Sequence, residues 1–345
     1  MAPLAATLAT TAALGAGLAL ARSRRERRST SERTRDPDLG LAPGEPLADG
    51  LRRMAAGQAK LAIELLAGPE DNGTAPDEKA VHETRKALKR LRALLRLLRH
   101  QLGEDAFARE NAVLRDTGRR LSGARDAEVM VGTLDALIAR QPRKLGRRSG
   151  ALELRARLQA EHARAREDTV GDAATRAAAL GELGGFRVRV EAWTLPERPG
   201  IELVQADLRR LYEQGRERRR RAARRKGREM VAMHEWRKRV KDLRYASEML
   251  RRRDHDKALA RVARRSDALG ELLGEDHDLA VLAEHLRAGA RWDGPRAWRT
   301  DRRTREALLD AVERRRRTLR KRALREGERL YAAKPKRFVA RVRHG

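Results

Sequence analysis

The residues best equipped for chemistry are histidines, arginines and lysines set at helical spacing, and the arrangement occurs twice. His82, Arg85, Lys86, Lys89, Arg92 and Arg96 form the first set; His234, Arg237, Lys238, Lys241 and Arg244 form the second, offset by 234 − 82 = 152 residues. At 3.6 residues per turn, each set lies along one face of a helix. A dense row of cations is suited above all to holding phosphate oxygens. Arginine grips them in pairs and lysine acts as a mobile point charge. Histidine donates from both ring nitrogens once a nearby anion favours its charged form. Divalent metals are disfavoured at His82 and His234, because the charges around both are positive.

Catalytic patterns are missing from the chain. It contains no His-Glu-x-x-His, no Gly-x-Ser-x-Gly and no phosphate-binding Walker loop. The eight histidines (82, 100, 162, 234, 255, 277, 285 and 344) include no pair three or four residues apart. His277 and Asp278 read as a helix cap or salt bridge rather than as metal ligands. No enzyme activity, cofactor or metal is expected. The chain has no cysteine, which excludes disulfides and thiolate chemistry.

The bulk composition agrees. The net charge is +30 over 345 residues, a strong signal for a polyanionic partner. Arginine greatly outnumbers lysine, as in GC-rich bacterial coding sequence, so the few lysines that remain are informative. Lys86 and Lys89 recur at the same offset as Lys238 and Lys241. Neither row interleaves aromatics with its cations, whereas readers of nucleic-acid bases generally need stacking aromatics or base-edge contacts. A short, dense row suits a flexible chain of phosphates better than a rigid duplex.

The elements that must position these rows are helices. Leu88, Leu91, Leu95 and Leu98 lie opposite the first row, and Trp236, Val240, Leu243 and Leu250 lie opposite the second. Each helix thus has one face for a core and one for a ligand. Residues 1–45 read as an uncharged, apolar stretch (2–21) and a disordered basic linker. Residues 2–21 read as a disordered tail or a misassigned start, with a weak membrane association or an N-terminal membrane anchor as the alternative. From Pro46 the periodicity predicts helices over 47–66, 82–102, 105–122, 124–139 and 152–169. A glycine- and proline-bearing joint is expected over 171–200, followed by helices over 201–225, around His234, over 254–273 and 276–288, and over 302–332. Gly118 matches Gly270, Leu121 matches Leu273 and Asp126 matches Asp278, again at an offset of 152. The expected fold is all-α: two antiparallel four-helix bundles, about 46–170 and 200–343, related by a pseudo-twofold internal repeat.

The motifs His82-x-x-Arg85-Lys86-x-x-Lys89-x-Leu91-Arg92 and His234-x-x-Arg237-Lys238-x-x-Lys241-x-Leu243-Arg244-Tyr245 resemble the two signature helices of the CHAD domain, the conserved histidine α-helical domain. Arg125-Asp126, His277-Asp278 and the ending Arg329-Leu330-Tyr331-x-x-Lys334-Pro335-x-x-Phe338 are similar to that family as well. The resemblance covers Pro46 to Arg343. It implies two four-helix bundles and binding of inorganic polyphosphate along a basic surface between them, through the eleven residues of the two rows. Arg52, Arg53, Arg225 and Arg228 would lie at its edges. Many relatives carry a preceding CYTH domain marked by Glu-x-Glu-x-Lys; that motif is absent here, so a stand-alone binding module is expected. Nonspecific nucleic-acid binding is the alternative, and a metal-dependent phosphohydrolase a more distant one. A cytoplasmic protein associated with polyphosphate granules is the matching location. Asp242 and Glu248 stand where the first helix has Arg90 and Arg96, which would weaken the second row.

Overall fold

The computed structural model describes residues 39–68, 76–121, 123–170, 172–224, 229–251, 257–288 and 302–343. Residues 2–21, Arg225 and Arg228, and the side chains of Arg125 and Asp126, lie outside the described residues. The fold is all-helical. The α-helices are α1 (Leu47–Ala67), α2 (Glu78–Leu97), α3 (Arg99–Leu102), α4 (Glu104–Arg120), α5 (Gly123–Arg140), α6 (Ser149–Val170), α7 (Ala173–Glu191), α8 (Gln205–Arg224), α9 (Glu229–Leu250), α10 (Lys257–Ala288), α11 (Arg302–Leu330) and α12 (Pro335–Arg343). A 3-10 turn, Gly200–Leu203, precedes α8.

The two basic helices are α2 and α9, and they pack directly on each other. Their apolar faces are buried as the periodicity requires. Leu91, Leu95 and Leu98 of the first segment, and Trp236, Val240 and Leu243 of the second, are fully inaccessible. Asp77 starts α2 by accepting a hydrogen bond from the Ala80 amide at 2.7 Å, which satisfies one of the free donors of the first turn. Gly103 separates α3 from α4 with φ near 79°, a backbone angle that glycine adopts without strain.

Three expectations change. Packed chain begins before Pro46: Leu41 is buried, and Arg53 holds the Gly40 carbonyl at 2.9 Å and the Glu45 carboxylate at 2.7 Å. The expected joint over 171–200 contains α7. This helix packs on α1 and α4, and Arg189 pairs with buried Glu110 at 2.8 Å. Its glycines cost helix propensity, but Leu183, Phe186 and Val190 bury a complete face, which outweighs that cost. Similarly, 254–273 and 276–288 form the single helix α10, because Leu269, Leu273 and Leu279 carry a buried stripe straight through Gly274.

Buried side chains form two clusters, and each draws on both halves of the sequence. The larger joins α1, α2, α4, α7, α8, α9 and α12 to the start of α10 and the end of α11. The smaller joins α5 and α6 to the end of α10 and the start of α11. Asp276 of α10 pins these two long helices together, meeting buried Arg316 at 3.2 Å and Arg320 at 3.1 Å.

Candidate functional site

The two basic rows meet where α2 packs against α9. Lys89 of α2 and Lys241 of α9 are close enough to repel each other, and α10 contributes Asp278 as a counter-charge to Lys241. Burial, followed by repulsion from Arg237 and Lys89, pushes the Lys241 ammonium down to about 7. Arg92 is pushed down to about 10, first by burial and then by Arg96, with Arg115 and Arg239 adding to the effect. Cations have been gathered here faster than anions can neutralise them.

Most of the arginines in the rows also fasten helices. Arg85 donates to the Leu121 carbonyl at 3.0 Å and so caps the end of α4. Arg92 donates to Asn111 of α4 at 3.1 Å. Arg96 reaches Asp242 of α9 at 3.4 Å and is largely buried there, so it belongs to the helix–helix interface rather than to an open row. Arg244 pairs with Glu248 at 2.8 Å and with Asp267 of α10. Burial pulls its guanidinium down, but the two carboxylates outweigh this and hold it above its ordinary value. Arg237 lies alongside Gly274 of α10.

The lysines are held differently. Lys86 pairs with Glu83 at 3.0 Å and Lys238 with Glu235 at 2.7 Å, each one turn back on its own helix. Such local surface pairs are weak and readily exchanged for another anion. His82 is partly exposed on α2. At the proposed edges, Arg52 pairs with Asp49 and Arg53 anchors the segment before α1.

Sequence reading missed one participant. His277 sits inside α10, and its ring packs against that of His234 of α9 with centroids 4.5 Å apart and planes tilted by 35°. Its place inside the helix rules out a capping role, while Asp278 beside it serves as a counter-charge to Lys241. The sequence marks residue 277 only through the family-like His277-Asp278 element and its place before the repeat-matched Asp278; nothing in it sets this ring against His234. Two other histidines meet carboxylates at α6: His162 pairs with Glu78 at 2.9 Å and His285 with Glu161 at 3.4 Å. Among the described residues no group of three or more His, Asp or Glu side chains could hold a metal ion. Also among them, no helix is long and apolar enough to cross a membrane.

A family model for the CHAD domain matches residues 57–287. The chain belongs to the CHAD-domain family. The match to the CHAD domain contains α2, α9 and His277. Two solved structures share the fold. The CHAD domain from the plant Ricinus communis is 20% identical, with 87% of this chain and 96% of that one covered and a TM-score of 0.63. PptA from Streptomyces chartreusis is 18% identical, with 84% and 100% covered and a TM-score of 0.57. No curated protein matches the chain.

Proposed function

We propose that this CHAD domain binds inorganic polyphosphate, without catalysis, along the surface where α2, α9 and α10 meet. The observation that carries the reading is the crowding of Arg237 and Lys89 against Lys241, which, with its burial, leaves Lys241 at about 7 although Asp278 opposes them. A chain of phosphates entering this surface would relieve the repulsion, so unfavourable charge in the free protein becomes binding free energy. Lys86, Lys89, Lys238 and Lys241, with the histidines, are the groups able to turn toward it. Arg85, Arg92 and Arg244 would supply fixed positive potential from behind. On this reading the protein acts in the cytoplasm, where polyphosphate granules form.

Polyphosphate is favoured over nucleic acid because α9 offers bases no platform. Its aromatic side chains, Trp236 and Tyr245, are buried. Stacking on exposed aromatics supplies ~1–3 kcal/mol per base in single-strand binders, and phosphate contacts alone leave a duplex weakly held. The test is a competition titration at fixed salt, with long-chain polyphosphate competing against single- and double-stranded DNA of equal phosphate content. Polyphosphate should displace either DNA at about tenfold lower phosphate concentration. Equal or tighter binding of DNA would overturn the reading.

A further inference from the structure

The paired rings of His234 and His277 have a chemistry that neither basic row has alone. Two imidazoles whose centroids are 4.5 Å apart stack readily when neutral and repel when both are charged. Their surroundings add to this. From α9 itself, Arg237, Lys238 and Lys241 bear on the rings, and Glu235 is the opposing charge. Glu235 is engaged by Lys238 at 2.7 Å and faces Arg218 of α8. From α2, Lys89 faces Lys241; from α10, Asp278 does the same. The pair is thus a neutral insert within a predominantly positive site.

We propose that His277 is a ligand-binding residue, and that the His234–His277 pair takes up a proton from solvent as the polyanion binds. This rests on the polyphosphate reading above. The reasoning is electrostatic. In the free protein, burial and then Arg237, His234, Lys241 and Lys238 hold the His277 ring down to about 4. His234 is lowered by burial and then by Lys238 and Arg237. Bound phosphate oxygens reverse the sign of the nearest charge. The protonated ring then gains both a counter-ion and a hydrogen-bond acceptor, so the charged form becomes the stable one. No bond other than N–H forms, and the buffer supplies the proton. Because the bound form holds more protons than the free form, affinity rises as pH falls between the free-site value near 4 and the higher liganded value. A site built from arginine alone would lack this dependence, because arginine stays charged throughout.

Calorimetric titration of the full chain with long-chain polyphosphate measures this directly. Comparing two buffers of different ionisation heat near pH 6 gives the number of protons taken up. One full proton corresponds to roughly a tenfold gain in affinity per pH unit. Wild-type protein should take up protons, and H277Q should take up fewer and show a shallower dependence on pH. The terminal phosphates of the ligand titrate equally in both and cancel. NMR titration of the wild-type imidazoles provides a second measurement that needs no variant: the His277 midpoint should rise by at least about one pH unit when polyphosphate is added. Identical proton uptake by both proteins, or an unmoved His277 midpoint, would overturn the proposal while leaving polyphosphate binding intact. Failure of the wild-type protein to bind polyphosphate at any pH would overturn the functional reading and this proposal with it.

Discussion

Arg96 of α2 and Asp242 of α9 meet at 3.4 Å across the interface between the two basic helices, and Arg239 shares the same carboxylate at 3.0 Å. The acid that interrupts the second row is therefore what allows the rows to lie side by side. Two helices of like charge need an anion between them. Asp242 fills that role permanently and from within the interface.

Removing Asp242 should cost stability. Asp242→Ala would leave Arg96 and Arg239 facing each other in a largely dry contact, and losing one partner of a buried pair costs ~3–5 kcal/mol. Combining it with Arg96→Ala should lose less than the sum of the two single changes, because the repelling partner has gone. Urea unfolding of the three variants measures the coupling, and strict additivity would contradict it.

Neutralising the crowded lysines should separate stability from binding. Lys89→Gln with Lys241→Gln removes repulsion and so should raise the melting temperature of the free protein. The same double change should lower polyphosphate affinity by about tenfold or more, and flatten its dependence on salt by roughly one counterion per lost contact. Reversing two exposed arginines on α11, Arg317 and Arg325, should change affinity far less. Equal losses from both double variants would mean that bulk charge carries the binding.

Stability of the unliganded protein should fall on acidification in two windows. Lys241 sits near 7 in the folded chain, against ~10.4 when unfolded. His277 sits near 4, against ~6.5 when unfolded. In both cases the unfolded state binds protons more readily. Their contribution is therefore fully present at alkaline pH and declines as pH drops from ~10.4 through 7 and from ~6.5 through 4. Thermal melts at pH 9, 7 and 5 should show the decline, with the step between pH 9 and 7 reduced in Lys241→Gln. A wild-type melting temperature that rises from pH 9 to pH 7 would contradict the assignment.

Two helical glycines should resist alanine. A Cβ at Gly327 would run into the Trp236 ring, and one at Gly215 into the Tyr331 phenol. Overpacking of this kind costs ~1–3 kcal/mol. Gly270 of α10 has open space where its Cβ would go, so Gly270→Ala should instead stabilise by roughly 0.5–1 kcal/mol. Denaturant midpoints with the opposite sign pattern would refute the packing around Trp236 and Tyr331.

Much of this molecule is legible in its sequence, because helices are local objects. The 3.6-residue period alone places Leu91 and Leu95 in the core, and Lys86 and Lys89 on the opposite face of the same helix. The same period places Trp236 and Val240 against Lys238 and Lys241. The doubled His/Arg/Lys pattern also points to the family. Periodicity says which face is apolar but not which neighbour covers it, and here the tertiary structure decided. It spread both cores over both halves of the chain, committed Arg85, Arg92, Arg96 and Arg244 to neighbouring helices, and set His277 against His234. Residues 234 and 277 lie on different helices, and no sequence period connects them. Their contact exists because the packed leucines of α9 and α10 fix how those helices face each other, and that is a property of the whole core.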